Sequence, residues 1–99
     1  MFTSSAEAVT PAASKYLQQL CKHFAHKVTC EWTPEMARVD FPFGDCRMTA
    51  KGDRLTIVCE SAEEEGLKRM QAVIDVHLVK FAWREELTLE WRVPVVQSV

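Results

Sequence analysis

Three histidines carry most of the side-chain chemistry that this 99-residue chain offers. Two lie in the string Cys21-Lys22-His23-Phe24-Ala25-His26-Lys27. At about 100° per residue His23 falls at the edge of an apolar helical stripe, and His26 lies about 60° further toward solvent. Histidines at i and i+3 can ligate one metal ion from one helix face, or simply serve the exposed carbonyls where a helix ends. The third, His77, falls among Met70, Ile74 and Phe81 on an apolar face. An imidazole there needs a hydrogen-bond partner or costs about 1–3 kcal/mol. Backbone or Tyr16 would satisfy it as a core residue; otherwise it faces a cleft as a ligand or an acid-base group. Arg84 follows seven residues later on the same face, with Glu85 next to it. If two helices bring His77 near His23, the three histidines suit zinc, or one imidazole suits the axial position of a haem, and spacing does not choose between them.

Other chemical signatures are absent. The chain has no glycine-rich phosphate loop, no Gly-x-Ser-x-Gly elbow and no metalloprotease motif. Cys21, Cys30, Cys46 and Cys59 contain no Cys-x-x-Cys pair, and with no export signal they read as reduced, mostly buried thiols. The chain should therefore be cytoplasmic, and no apolar run approaches the ~20 residues a membrane span needs. The formal charge is −2, and no basic run interleaves with Trp32, Phe41 and Trp91, so a nucleic-acid partner is not expected.

The elements that must position the histidines follow from periodicity. Residues 1–9 are small and polar and read as a frayed terminus. Thr10-Pro11 starts a helix from Pro11 to about His26, with Tyr16, Leu17, Leu20, Cys21 and Phe24 on its apolar side. Period-two alternation then predicts four short strands with tight connections, hence antiparallel neighbours. Ser61 and Glu64 have capping-box spacing, so a second helix should start there and end near Arg84 to Glu86. Leu87, Leu89 and Trp91 alternate as a last strand stopped by Pro94. Residues 10–94 thus form a single α+β domain, with 95–99 as a flexible tail. The expected fold is a two-layer sandwich in the order α-β-β-β-β-α-β, a mostly antiparallel sheet with both helices on one face.

The string His23 to Lys27, the short strands around Gly44 and the run His77-Leu78-Val79-Lys80-Phe81-Ala82-Trp83-Arg84-Glu85 ahead of Trp91 resemble the bacterial domain-of-unknown-function 2218 family. The resemblance covers about residues 10 to 92. This chain has Lys80 where the family pattern has arginine, which keeps the charge and loses a bidentate donor. Carried over, the motif positions are His23, Phe24, His26, Lys27, His77, Leu78, Phe81, Arg84 and Glu85, of which Phe24, Leu78 and Phe81 are explained as core. Some relatives are joined to siderophore-interacting flavin reductases, so the resemblance implies iron handling and such a reductase as a partner. The leading reading is a small binding or accessory module in which His23, Lys27, His77, Arg84 and Glu85 contact an anionic or metal-bearing ligand. A metal would fall to His23, His26 and His77, and iron, haem or a siderophore is the specific form. The alternatives are an interaction domain with no small-molecule site and, third, an acid-base enzyme using His77 and Glu85.

Overall fold

A computed structural model describes residues 1–82, 87, 89, 91 and 92, and the backbone of 95 and 96. Its elements are β1 (Phe2–Val9), α1 (Ala13–Phe24), β2 (Thr29–Trp32), β3 (Met36–Phe41), β4 (Gly44–Lys51), β5 (Arg54–Ser61), α2 (Glu64–Phe81) and the two-residue β6 (Val95–Val96). The strands form one antiparallel sheet in the order β2-β3-β4-β5-β1-β6.

The cross-strand registers explain why only one face is covered. Trp32, Ala37, Met48, Ile57 and Ala6 line up across five strands, and the neighbouring row runs Cys30, Val39, Cys46, Cys59 and Ser4. These rows are buried or half-buried, while Arg38, Arg47 and Asp40 between them point to the open face. Leu17 and Leu20 of α1 and Met70, Ile74 and Leu78 of α2 join the same buried cluster, so both helices lie on the apolar face, as the periodicity predicts. None of the four thiols forms a disulfide; three are buried and Cys30 is half-buried. Burial pushes the Cys21 thiol up to about 12, so these groups behave as small apolar side chains.

The order expected from sequence needs two corrections. Residues 2–9 are not a frayed terminus: β1 pairs with β5 along its whole length, from Phe2↔Ser61 to Val9↔Arg54. Its inward residues are Ser4, Ala6 and Ala8, too small to give a hydrophobic alternation, yet their size lets α2 lie close above. Gln71 Nε2 donates to Ser4 Oγ at 2.8 Å across that contact. At the other end, Leu87, Leu89 and Trp91 carry no strand; they are half-buried against the core instead. Trp91 Nε1 donates to Asp75 Oδ1 at 2.9 Å, and Arg92 N–H donates to Ser5 O at 2.8 Å. Burial raises the Asp75 carboxyl and the indole N–H partly offsets it. The chain then adds β6 to the free edge of β1, with Phe2↔Val96 and Thr3↔Val95, so Val95 and Val96 are not a loose tail. The order is β-α-β-β-β-β-α followed by the short β6.

Helix limits shift by smaller amounts. The Thr10 hydroxyl accepts from the Ala12 amide at 3.1 Å, and regular α1 starts at Ala13 rather than Pro11 and ends at Phe24 rather than His26. Ser61 is not the cap of α2: it ends β5, its hydroxyl donates to Phe43 O at 2.7 Å and accepts from the Glu63 amide at 3.2 Å. The serine therefore ties the helix entrance to the β3–β4 turn, a long-range use that local spacing does not reveal. The expected helix end, 84–86, lies outside the described residues.

That turn depends on Gly44. Its φ is +154°, and a β-carbon there would run into the Glu60 carbonyl and, at 2.7 Å, the Met70 Cε. Gly52, at φ +61°, turns β4 into β5 with open space around it. Gly44→Ala combines overpacking with backbone strain, and should cost about 2–5 kcal/mol; Gly52→Ala carries the backbone term alone, about 1–2 kcal/mol. Urea unfolding of the two variants checks the order, and an equal loss in both would show that the close approach at Gly44 does not hold the turn.

Candidate functional site

The last turn of α1 and the last two turns of α2 end side by side, since His23 and Phe81 rings are 6.0 Å apart. Their placement follows from the shared apolar face: α1 buries Leu20 and Phe24 on the sheet, and α2 buries Ile74 and Leu78. His23 and His77 stand beside these buried positions and so face each other across the helix pair. The imidazole centroids are 4.3 Å apart with planes tilted by 43°. His77 is half-buried and His23 exposed.

Beneath the two rings lies a cleft of about 570 Å³, walled by Phe24, Val28, Phe41, Pro42, Phe43 and Val73, with His23, His26, Lys27 and His77 at its edge. The aromatic wall is ordered by ring contacts. Phe41 and Phe43 stack at 5.4 Å with planes 9° apart, Phe24 meets Phe41 edge-on at 5.2 Å, and His77 meets Phe24 edge-on at 5.4 Å. A volume of this size with a mostly apolar lining and a few polar groups is what a small-molecule site requires.

The hydrogen bonding of His77 fixes its chemistry. Its Nδ1 lies 2.6 Å from Val73 O, and because a carbonyl can only accept, Nδ1 holds the proton. Nε2 keeps its lone pair for a proton, a donor or a metal. The backbone carbonyl is thus the partner that sequence reasoning required for a buried imidazole, and Tyr16 is not needed for it. His23 differs. Desolvation under its neighbours, then the positive potential of His77, His26, Lys80 and Lys27, hold its pKa below the ordinary 6.5.

The structure brings His23, His77, His26 and Lys27 to one cleft. Among the described residues no group of three or more His, Cys, Asp or Glu side chains is placed to hold a metal ion, so His26 does not complete a three-ligand centre with His23 and His77. Arg84 and Glu85 lie outside the described residues. Sequence reasoning missed the wall at residues 41–43, where Pro42 and Gly44 read only as punctuation. The signal was present in Phe41-Pro42-Phe43-Gly44: two aromatics flank a turn where small polar residues are usual.

Residues 5–92 match the family described as "Uncharacterized protein conserved in bacteria (DUF2218)". No curated protein matches the chain. Among solved structures, the NMR structure of PA4090 from Pseudomonas aeruginosa aligns with a TM-score of 0.79 at 36% identity, covering 93% of this chain and 96% of that one.

His23 has a pH signature. Because the folded-state pKa of His23 is depressed, its neutral form is favoured by folding. That contribution is present above about 6.5 and is lost as pH falls through the depressed folded-state value. NMR titration of the imidazole Cε1 protons should give a His23 midpoint below 6.5 that rises in His77→Ala. An unchanged midpoint in the variant would remove His77 as one of its causes.

Proposed function

This chain belongs to the DUF2218 family, and we propose that it is a ligand-binding module whose site is the aromatic cleft beneath His23 and His77. One observation carries the reading: His77 lines an apolar cleft of about 570 Å³ while its Nδ1 is engaged by Val73 O, which leaves Nε2 as the nitrogen for a ligand. The site is built for a flat, largely apolar ligand that presents a metal or a hydrogen-bonding group to one imidazole. Two neighbouring imidazoles with no thiolate or carboxylate grouped with them among the described residues do not make a closed four-ligand zinc centre, where all donors come from protein. They fit a metal that arrives with most of its coordination sphere filled, as iron does in haem or a siderophore chelate, so that protein adds one nitrogen. Phe41 and Phe43 then cover a planar face, and Lys27 reaches an acidic group at its edge. A partner that reduces ferric iron, such as a siderophore-interacting flavin reductase, is the accessory relation this reading implies.

An interaction domain has its own observation in Val76 and Val79, which are 66% and 58% exposed one turn apart on the outer side of α2. Ligand binding and this outer stripe occupy different faces of α2 and are tested separately.

Haemin, Fe(II) and Zn(II) titrated into the protein separate these readings. A ligand that binds only the folded state at ~100 times its dissociation constant adds about 2.7 kcal/mol, which a thermal shift detects. We expect haemin to raise the melting temperature and change its absorption spectrum, and His77→Ala to abolish both. His26→Ala should preserve them. The module reading fails if none of the three ligands produces a shift, or if the response survives in His77→Ala.

A further inference from the structure

Charge around the cleft is distributed unlike charge over the molecule. The chain as a whole is acidic, with 14 Asp and Glu against 12 Lys and Arg, yet among the described residues no carboxylate lines the cleft, whereas His23, His26 and Lys27 do. Lys80, in the last turn of α2, adds its positive potential to that on His23. The ion pairs of the described residues are Arg38–Asp45, Arg54–Glu7 and Arg69–Glu65, so neither lysine has an acidic partner among them.

Part of this charge answers the helices, because both end here. The α1 carbonyls are already occupied: Ala25 N–H donates to Cys21 O, His26 N–H to His23 O, and Lys27 and Val28 N–H to Phe24 O. Each terminus leaves about half a negative charge, so two helix ends come to about one unit. Lys27 and Lys80 supply two permanent positive charges before either rim histidine is protonated. A positive excess therefore remains over an apolar floor, with no ion-pair partner among the described residues.

We infer that the cleft selects an amphiphilic anion, a flat apolar body seated on Phe24, Phe41 and Phe43 with a carboxylate held by Lys27 and drawn by the nearby charge of Lys80. The inference rests on the cleft being the ligand site and adds the chemical class of what enters it. An apolar body contributes affinity by leaving water, and the unpaired ammonium groups choose acids over neutral compounds of the same shape. Metal is not required for this preference, and a metal chelate with peripheral carboxylates satisfies both conditions. The rim charges are exposed, so the preference must weaken as salt screens them.

Fluorescence titrations with 1-pyrenebutyrate and its neutral analogue 1-pyrenebutanol test the inference directly. The acid should bind at least tenfold more tightly at low salt. The ratio should fall below threefold in the double variant Lys27→Gln/Lys80→Gln, and likewise in wild-type protein at 1 M salt. Both residues are exposed, and circular dichroism of the variant confirms an unchanged fold. Equal binding of the two probes overturns the anion preference, a ratio that persists in the double variant overturns its assignment to Lys27 and Lys80, and either result leaves the cleft as a ligand site. If neither probe binds and Phe43→Ala leaves the haemin response intact, the cleft itself is not the site and both readings fall.

Discussion

Everything at the candidate site depends on two helices having to share one face of one sheet. The sheet buries a single side, in the rows through Met48 and Ile57 and through Cys46 and Cys59, and both α1 and α2 join the buried cluster on it. They therefore pack against each other as well as against the strands. Removing this apolar area from water, at roughly 25 cal/mol per Å², is the largest favourable contribution the chain has. The meeting of His23 and His77 is a by-product of that packing: each immediately precedes a buried residue on its own helix, Phe24 and Leu78 respectively, and inherits its position from it.

Where the helices end, the sheet reaches past them. The β3–β4 turn carries Pro42 and Phe43 out from the buried row, and two contacts hold it there. Ser61 Oγ donates to Phe43 O, and Gly44 lets the strand approach Glu60 and Met70 with no side chain between. Gly66 adds a third: a β-carbon on this residue in the first turn of α2 would collide with Ser61 Oγ and the Phe43 carbonyl. Thus the cleft wall, the end of β5 and the start of α2 form one tightly packed corner. The site is rigid at its floor and open at its rim, where His26 and Lys27 are exposed.

What could be read from sequence follows the strength of local pattern. α1 and β2 to β5 were legible because Leu17 and Leu20, or Val39, Cys46, Ile57 and Cys59, recur at the helix or strand period with polar residues between them. β1 was not, because Ser4, Ala6 and Ala8 bury almost completely without being large or uniformly apolar; only the partner strand and the helix above define their inward face. Ser61 misled for a related reason. Its hydroxyl does accept an amide of the helix entrance, but that of Glu63, and its proton goes to a residue 18 positions away. The histidines were visible as residue types, and their proximity followed from placing both helices on one face. The aromatic wall was invisible to periodicity because it sits in a turn, where period carries no information.

The pairing of Phe2 and Thr3 with Val96 and Val95 brings the start of the first strand and the last described residues to the same sheet edge, one strand spacing apart. That edge lies across the whole width of the sheet from β2, since β6 and β2 are the two ends of the strand order. Residues 2 and 96 therefore lie within reach of a short bridge, and a circular permutant joined there and opened at the Gly52 turn would keep every long strand whole.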